Sequence, residues 1–192
     1  MTISSGIRSI EALRRAQADG LELRYVFFPD SGSLTDPPSS SCLSQWATTP
    51  FASVGLGFRS AEQAMMHGKA MLFGDVEMAD RILASRTPYQ AKIHGAQVRG
   101  FSEEVWIRHR FEVVVAANFP KFASLPVLRD YLLSTGDDVL AEWSTTDRIW
   151  GTGLDEFDRD ARHPARWPGL SLLGFALMEV RERLRKGAPF DP

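Results

Sequence analysis

Apolar and polar positions along the chain change period several times, and each change marks an element. SIEALRRAQA, Ser9–Ala18, has helical spacing and runs out at Gly20, which predicts a short first helix. LELRYVFFP, Leu21–Pro29, alternates and is rich in β-formers, so it predicts a strand. DSGSLTDPPSSS is loop by composition. CLSQWATTPFASVGLGF then supplies short extended pieces broken at Pro50, Gly55 and Gly57.

Helices dominate the remainder. Ser60 as N-cap with Gln63 three residues on forms a capping box, which predicts a helix over Ala61–Phe73. Gly74 and Asp75 break it, VEMADRILAS predicts a second helix, and Pro88 opens a third in PYQAKIHGAQV. SEEVWIRHRFEVVVAANF predicts a long helix capped at Ser102, and LPVLRDYLLST another closed by Gly136. VLAEWS predicts one short strand, whereas TTDRIWGTGLDEFDRDARHPARWPG is too rich in Gly, Pro and Asp for regular structure. LSLLGFALMEVRERLRKG predicts a last amphipathic helix ending in basic residues and Gly187. The expected fold is mainly α: an α-rich single domain with a few short β-strands and long ordered loops. Strands do not alternate with helices as a doubly wound sheet requires.

One helix breaks its own pattern. Glu62, Met66, Lys69 and Phe73 fall on one stripe of the helical wheel, with Met65 and Leu72 beside them. That stripe should face the interior. The rise per residue separates Glu62 and Lys69 by about 10 Å along the axis. Either the two form an ion pair under a loop, or their heads flank a sugar-sized group. Burying either charge alone is costly. Apolar neighbours would raise the glutamate's pKa and lower the lysine's. A protonated glutamate is an acid and a neutral lysine a nucleophile.

Three further stretches carry candidate chemistry. In DRIWGTG, Asp147 precedes Trp150 and Gly151; Trp150 either stacks a ligand ring or plugs the core, and Asp147 either binds or caps a turn. This Gly-x-Gly lacks the third glycine and the βα setting of a dinucleotide fingerprint. In LSQW, Gln45 and Trp46 pair an amide with an aromatic. In NFPKF, Lys121 is either a solvated helix-end cation or a phosphate ligand.

Composition narrows the partners. The 192 residues are 44% hydrophobic and 24% charged, with a net charge of −2, so no overall basic field grips a nucleic-acid backbone. Cys42 is the one cysteine and sits in a serine-rich loop, which excludes an internal disulfide and argues against a nucleophile. His67, His94, His109 and His163 lack metal-ligand spacing, so no metal is expected. The start of the chain lacks a signal-peptide core and no apolar run is membrane-length, so the cytoplasm is expected.

Taken in order, CLSQW, FRSAEQAMMHGKAMLFGD, TPYQAKIHG, KF, LLSTGDDVLAE, DRIWGTGL and WPGLSLLGFALMEVRERL resemble the NADAR family, also called YbiA-like, over Leu23–Leu184. The expected organisation is an N-terminal extension with a short helix over 1–20, the NADAR domain over 21–186 and a tail over 187–192. The resemblance implies cleavage of N-glycosidic bonds without a cofactor. Some members hydrolyse phosphoribosylamino-pyrimidine intermediates of riboflavin synthesis, and others remove ADP-ribose from guanine in nucleic acid. A non-catalytic module binding ADP-ribose or NAD is a third alternative. Matched residue by residue, Glu62, Lys69 and Asp147 would be catalytic, and Trp150 and Gly151 would hold substrate. Gln45, Trp46 and Lys121 join them as binding candidates. The chain departs from the family pattern at Ala96, where arginine is common, at Ser171, where asparagine is common, and near Ser124, where a glutamine is missing.

Overall fold

Short polar side chains close the first turns of the helices. Ser9, Ser60, Asp75, Thr87 and Ser102 each accept a hydrogen bond from the backbone N–H three residues on. In the computed structural model, which describes residues 6–189, they open α1 (Ile10–Ala18), α2 (Ala61–Leu72), α3 (Val76–Leu83), α4 (Pro88–Gly95) and α5 (Glu103–Ser124). Two more helices, α6 (Pro126–Ser134) and α7 (Leu172–Arg185), and four short strands complete the mainly α fold among the described residues. The strands are β1 (Tyr25–Pro29), β2 (Phe51–Ser53), β3 (Leu56–Phe58) and β4 (Val139–Trp143).

Helix α2 lies at the centre, packed by α3, α4 and α5; α5 in turn carries α6 and α7. β1 and β4 pair in parallel, Tyr25 opposite Val139 and Pro29 opposite Trp143, while β2 and β3 form an antiparallel hairpin. α7 covers β4 at very short range. A Cβ added to Gly174 would lie 1.9 Å from the Leu140 carbonyl oxygen, so only glycine permits this approach. α1 belongs to the same core: Ile10 and Leu13 are buried, and Arg14 donates to the carbonyls of Pro164 and Trp167. No single described helix is long and apolar enough to cross a membrane.

Three expectations are corrected. The first strand is shorter than Leu21–Pro29, because Leu21 N–H is spent on the Ala16 carbonyl, closing α1 around Gly20 at φ 83°. Gln63 does not return its side chain to Ser60. Its Oε1 accepts from Arg59 N–H at 2.7 Å, and its Nε2 donates to the Ile82, Leu83 and Ser85 carbonyls, which ties α2 to the end of α3. α5 does not stop before Pro120 but runs through it to Ser124. Proline removes one ladder bond there, and burial of Pro120, Lys121 and Phe122 offsets it.

Candidate active site

A cavity of about 820 Å³ opens beside the first half of α2 and takes its walls from segments far apart in sequence. Glu62, Met65 and Met66 line it from α2. Glu62 is 3% exposed, and its side chain makes no hydrogen bond or ion pair among the described residues. Burial pushes its carboxyl up to about 7; Lys92 opposes the rise and Asp147 adds to it. The Glu62 backbone N–H donates to the Gln45 carbonyl at 3.0 Å, so the helix start and the neighbouring loop are held together.

That loop forms one wall through Gln45 and Trp46. α5 fixes it from behind. Asn118 Nδ2 donates to Gln45 Oε1 at 3.0 Å, and Lys121 Nζ donates to the carbonyls of Cys42 and Ser44 at 2.7 and 2.9 Å. Lys121 is therefore neither a solvated cation nor a phosphate ligand in this structure. It is fully buried inside α5, with burial lowering its pKa to about 8, and it acts on the cavity through the loop. Cys42, in the same loop, turns its side chain into the interior, and burial raises its thiol to about 11 and keeps it neutral.

The opposite wall is the loop after β4. Asp147 Oδ1 accepts from the N–H groups of Ile149 and Trp150, both at 2.8 Å, while Ser144 Oγ accepts from Asp147 N–H at 3.2 Å and donates to Asp30 Oδ2 at 2.9 Å. Asp147 thus caps the turn and also faces the cavity, as do Trp150, Arg148 and Asp30. Trp150 is half-buried, with its ring edge-to-face on Trp106 at 6.5 Å. Gly151 is not on the cavity wall. It lets the loop cross the segment 169–171 that precedes α7: its carbonyl accepts from Ser171 N–H, and a Cβ on Gly169 would fall 2.2 Å from it.

Lys69 lies next to the cavity rather than on its wall. Its Nζ donates to the Gly95 carbonyl at 2.8 Å and rests 4.4 Å over the Phe101 ring and 5.7 Å from the Trp106 ring. Burial lowers its pKa and Glu62 opposes the shift. The amine that lines the cavity is Lys92 from α4, whose Nζ sits 5.3 Å over the Trp46 ring. α4 packs this close to α2 because Gly95 has no Cβ, which would lie 2.1 Å from Met66 Sδ.

A carboxyl that holds its proton near neutral pH, in a cavity also lined by two tryptophans, can protonate a leaving group bound there. A family model described as the NADAR domain matches residues 33–185. The chain belongs to the NADAR family. This NADAR chain is 36% identical over 164 residues to the N-glycosidase R617 of Acanthamoeba polyphaga mimivirus, covering 83% of the chain and 95% of that relative. It is 32% identical over 111 residues to the N-glycosidase Npun_R5314 of Nostoc punctiforme, covering 58% of the chain and 64% of that protein. The riboflavin biosynthesis protein VVA0006 of Vibrio vulnificus is 31% identical over 64% of the chain, which spans only 30% of that longer protein. The solved structure of the Escherichia coli protein YbiA matches with a TM-score of 0.63 at 23% identity, covering 88% of the chain and 90% of that structure, a likeness of fold.

Among the residues expected from the sequence, the NADAR fold brings Glu62, Asp147, Gln45, Trp46 and Trp150 onto one cavity and leaves Lys69, Lys121 and Gly151 behind it. Lys92, Glu142 and Arg148 line the cavity without having been singled out. Glu142 carried a signal: it is an acid directly after the apolar run Val139–Ala141 in a segment read as one short strand. Lys92 carried none, because its place depends on how α4 crosses α2.

Proposed function

We propose that this NADAR chain is an N-glycosidase that hydrolyses the C1′–N bond of a phosphoribosylamino-pyrimidine, releasing ribose 5-phosphate and the free aminopyrimidine. The observation that carries the reading is Glu62: a buried, unpartnered carboxyl raised to about 7 that faces the same cavity as Trp46 and Trp150. Relatives named N-glycosidase and riboflavin biosynthesis protein support the bond type and the substrate class.

In the direct route, the base stacks on the tryptophans and Glu62 donates its proton to the glycosidic nitrogen. The C1′–N bond breaks, its electron pair leaves with the aminopyrimidine, and water adds to C1′. Asp147 takes the proton that the water loses and releases it to solvent, from which Glu62 is reprotonated, so one water is consumed per turnover.

A covalent route is favoured by one observation, the burial that lowers the Lys69 pKa beside Trp106. Lys69 would leave the Gly95 carbonyl, attack C1′ as a neutral amine, expel the aminopyrimidine and form a Schiff base that water then opens. Borohydride added during turnover separates the two. Trapped sugar on Lys69 establishes the imine, and a Lys69→Ala variant with near wild-type rate eliminates it.

Incubation with ribosylamino-pyrimidine phosphates and with ADP-ribosylated guanosine, read by mass of the released sugar, tests the substrate. Turnover of the small nucleotide with little salt dependence is expected. Turnover of ADP-ribosylated nucleic acid that falls steeply with salt would move the substrate to nucleic acid. Tight ADP-ribose binding without product would make the protein a binding module.

A further inference from the structure

Neither proposed route uses the second buried carboxyl on the cavity wall. Glu142, in β4, is 5% exposed, lines the cavity and makes no side-chain hydrogen bond or ion pair among the described residues. A carboxyl on a cavity wall with no protein partner is left for a ligand to complete. Its backbone places it beside the aromatic loop: the Glu142 carbonyl accepts from Thr152 N–H at 2.9 Å and lies 3.2 Å from where a Cβ on Gly151 would be. The Glu142 side chain and Trp150 line the same cavity, so one bound base can meet both.

We propose that Glu142 reads the base of the substrate through a pair of hydrogen bonds, one donated and one accepted, to a lactam edge, an N–H beside a C=O. The proposal rests on the N-glycosidase reading and names the base class that the site takes. A carboxylic acid offers an O–H and a C=O on one edge, complementary to that lactam, whereas a carboxylate offers acceptors only. The surroundings favour the protonated form. Burial comes first, followed by the like charges of Asp147 on the loop, Asp30 after β1 and Glu62 on α2, with Lys92 on α4 as the opposing cation. All four face the same cavity. An oxopyrimidine or a guanine-like ring fits this edge, and a ring whose lactam nitrogen is blocked does not.

Calorimetry on the whole protein at pH 7 tests it, with 2,6-diaminopyrimidin-4-one and its N3-methyl derivative as probes. The unmethylated ring should bind at least about tenfold more tightly, since methylation removes one partner of a buried pair. Glu142→Ala should abolish that preference. Glu142→Gln keeps one donor and one acceptor, so it should bind within about threefold of the wild type and lose the wild-type weakening at high pH. Equal binding of the two probes, an unchanged preference in Glu142→Ala, or a Glu142→Gln loss as deep as that of Glu142→Ala overturns the proposal. The last result would assign an ionised acceptor instead. Because the readout is base binding, the expected pattern without any turnover refutes the glycosidase reading alone. Turnover with a base preference indifferent to Glu142 refutes this proposal alone.

Discussion

Glu62 has opposite effects on folding and on catalysis. Its carboxyl keeps a proton up to about pH 7 in the folded protein but gives it up near 4.5 when exposed, so the native state binds more protons between those values. Stability therefore falls as pH rises through that window and stays low above it. Glu62→Gln has no carboxyl to ionise. It should match the wild type below pH 4.5 and exceed it by about 3 kcal/mol above pH 7, measured by chemical denaturation across pH. The same substitution removes the proton donor and should lower kcat by about 100-fold or more. In the wild type, kcat/KM should decline above about pH 7 as the donor form empties. A variant that is both less stable and still active would remove Glu62 from the acid role. Glu62 was legible in the sequence because a charge on an apolar stripe is visible from helical periodicity alone. Glu142 showed only as an acid closing the apolar run of a short strand, and Lys92 not at all, since its place on the cavity is decided by packing partners that no local pattern names.

Among the elements, the loop 42–46 shows how a buried cation can serve a site it never touches. Lys121 Nζ holds two of the loop's carbonyls, and Asn118 holds the side chain of Gln45. Lys121→Met keeps the length and removes the donors, leaving the Cys42 and Ser44 carbonyls buried without them. The expected cost is about 2 kcal/mol in thermal or chemical unfolding. Released from α5, Gln45 and Trp46 should raise KM more than they lower kcat, because they hold substrate and do not transfer protons. An equal fall in kcat at unchanged KM would put Lys121 in the chemistry instead. Helix starts were legible at this scale, since caps such as Ser60 and Ser102 are local. The end of α5 was not. Pro120 reads as a stop, and only the burial of Lys121 and Phe122 against the rest of the fold carries the helix past it.

For the molecule as a whole, the cavity exists only while α7, β4 and α2 keep their spacing. β4 is pinned between β1, its parallel partner, and α7, and it delivers Glu142 and then the turn that carries Asp147 and Trp150. The tightest point of this stack is Gly174 against the Leu140 carbonyl. Gly174→Ala places a methyl group 1.9 Å from that oxygen, so helix and strand must separate. Backbone on both sides leaves no flexible side chain to give way. The helix propensity gained by alanine, about 1 kcal/mol, is smaller than the expected overpacking cost of about 3 kcal/mol. Denaturant unfolding should therefore show a net loss of about 2 kcal/mol. Activity of the folded fraction should fall as well, because moving β4 shifts Glu142 and the aromatic loop together relative to Glu62. Base binding by calorimetry should weaken in step with kcat/KM. If Gly174→Ala instead folds with wild-type stability and binds base normally, the spacing of α7 and β4 does not govern the cavity.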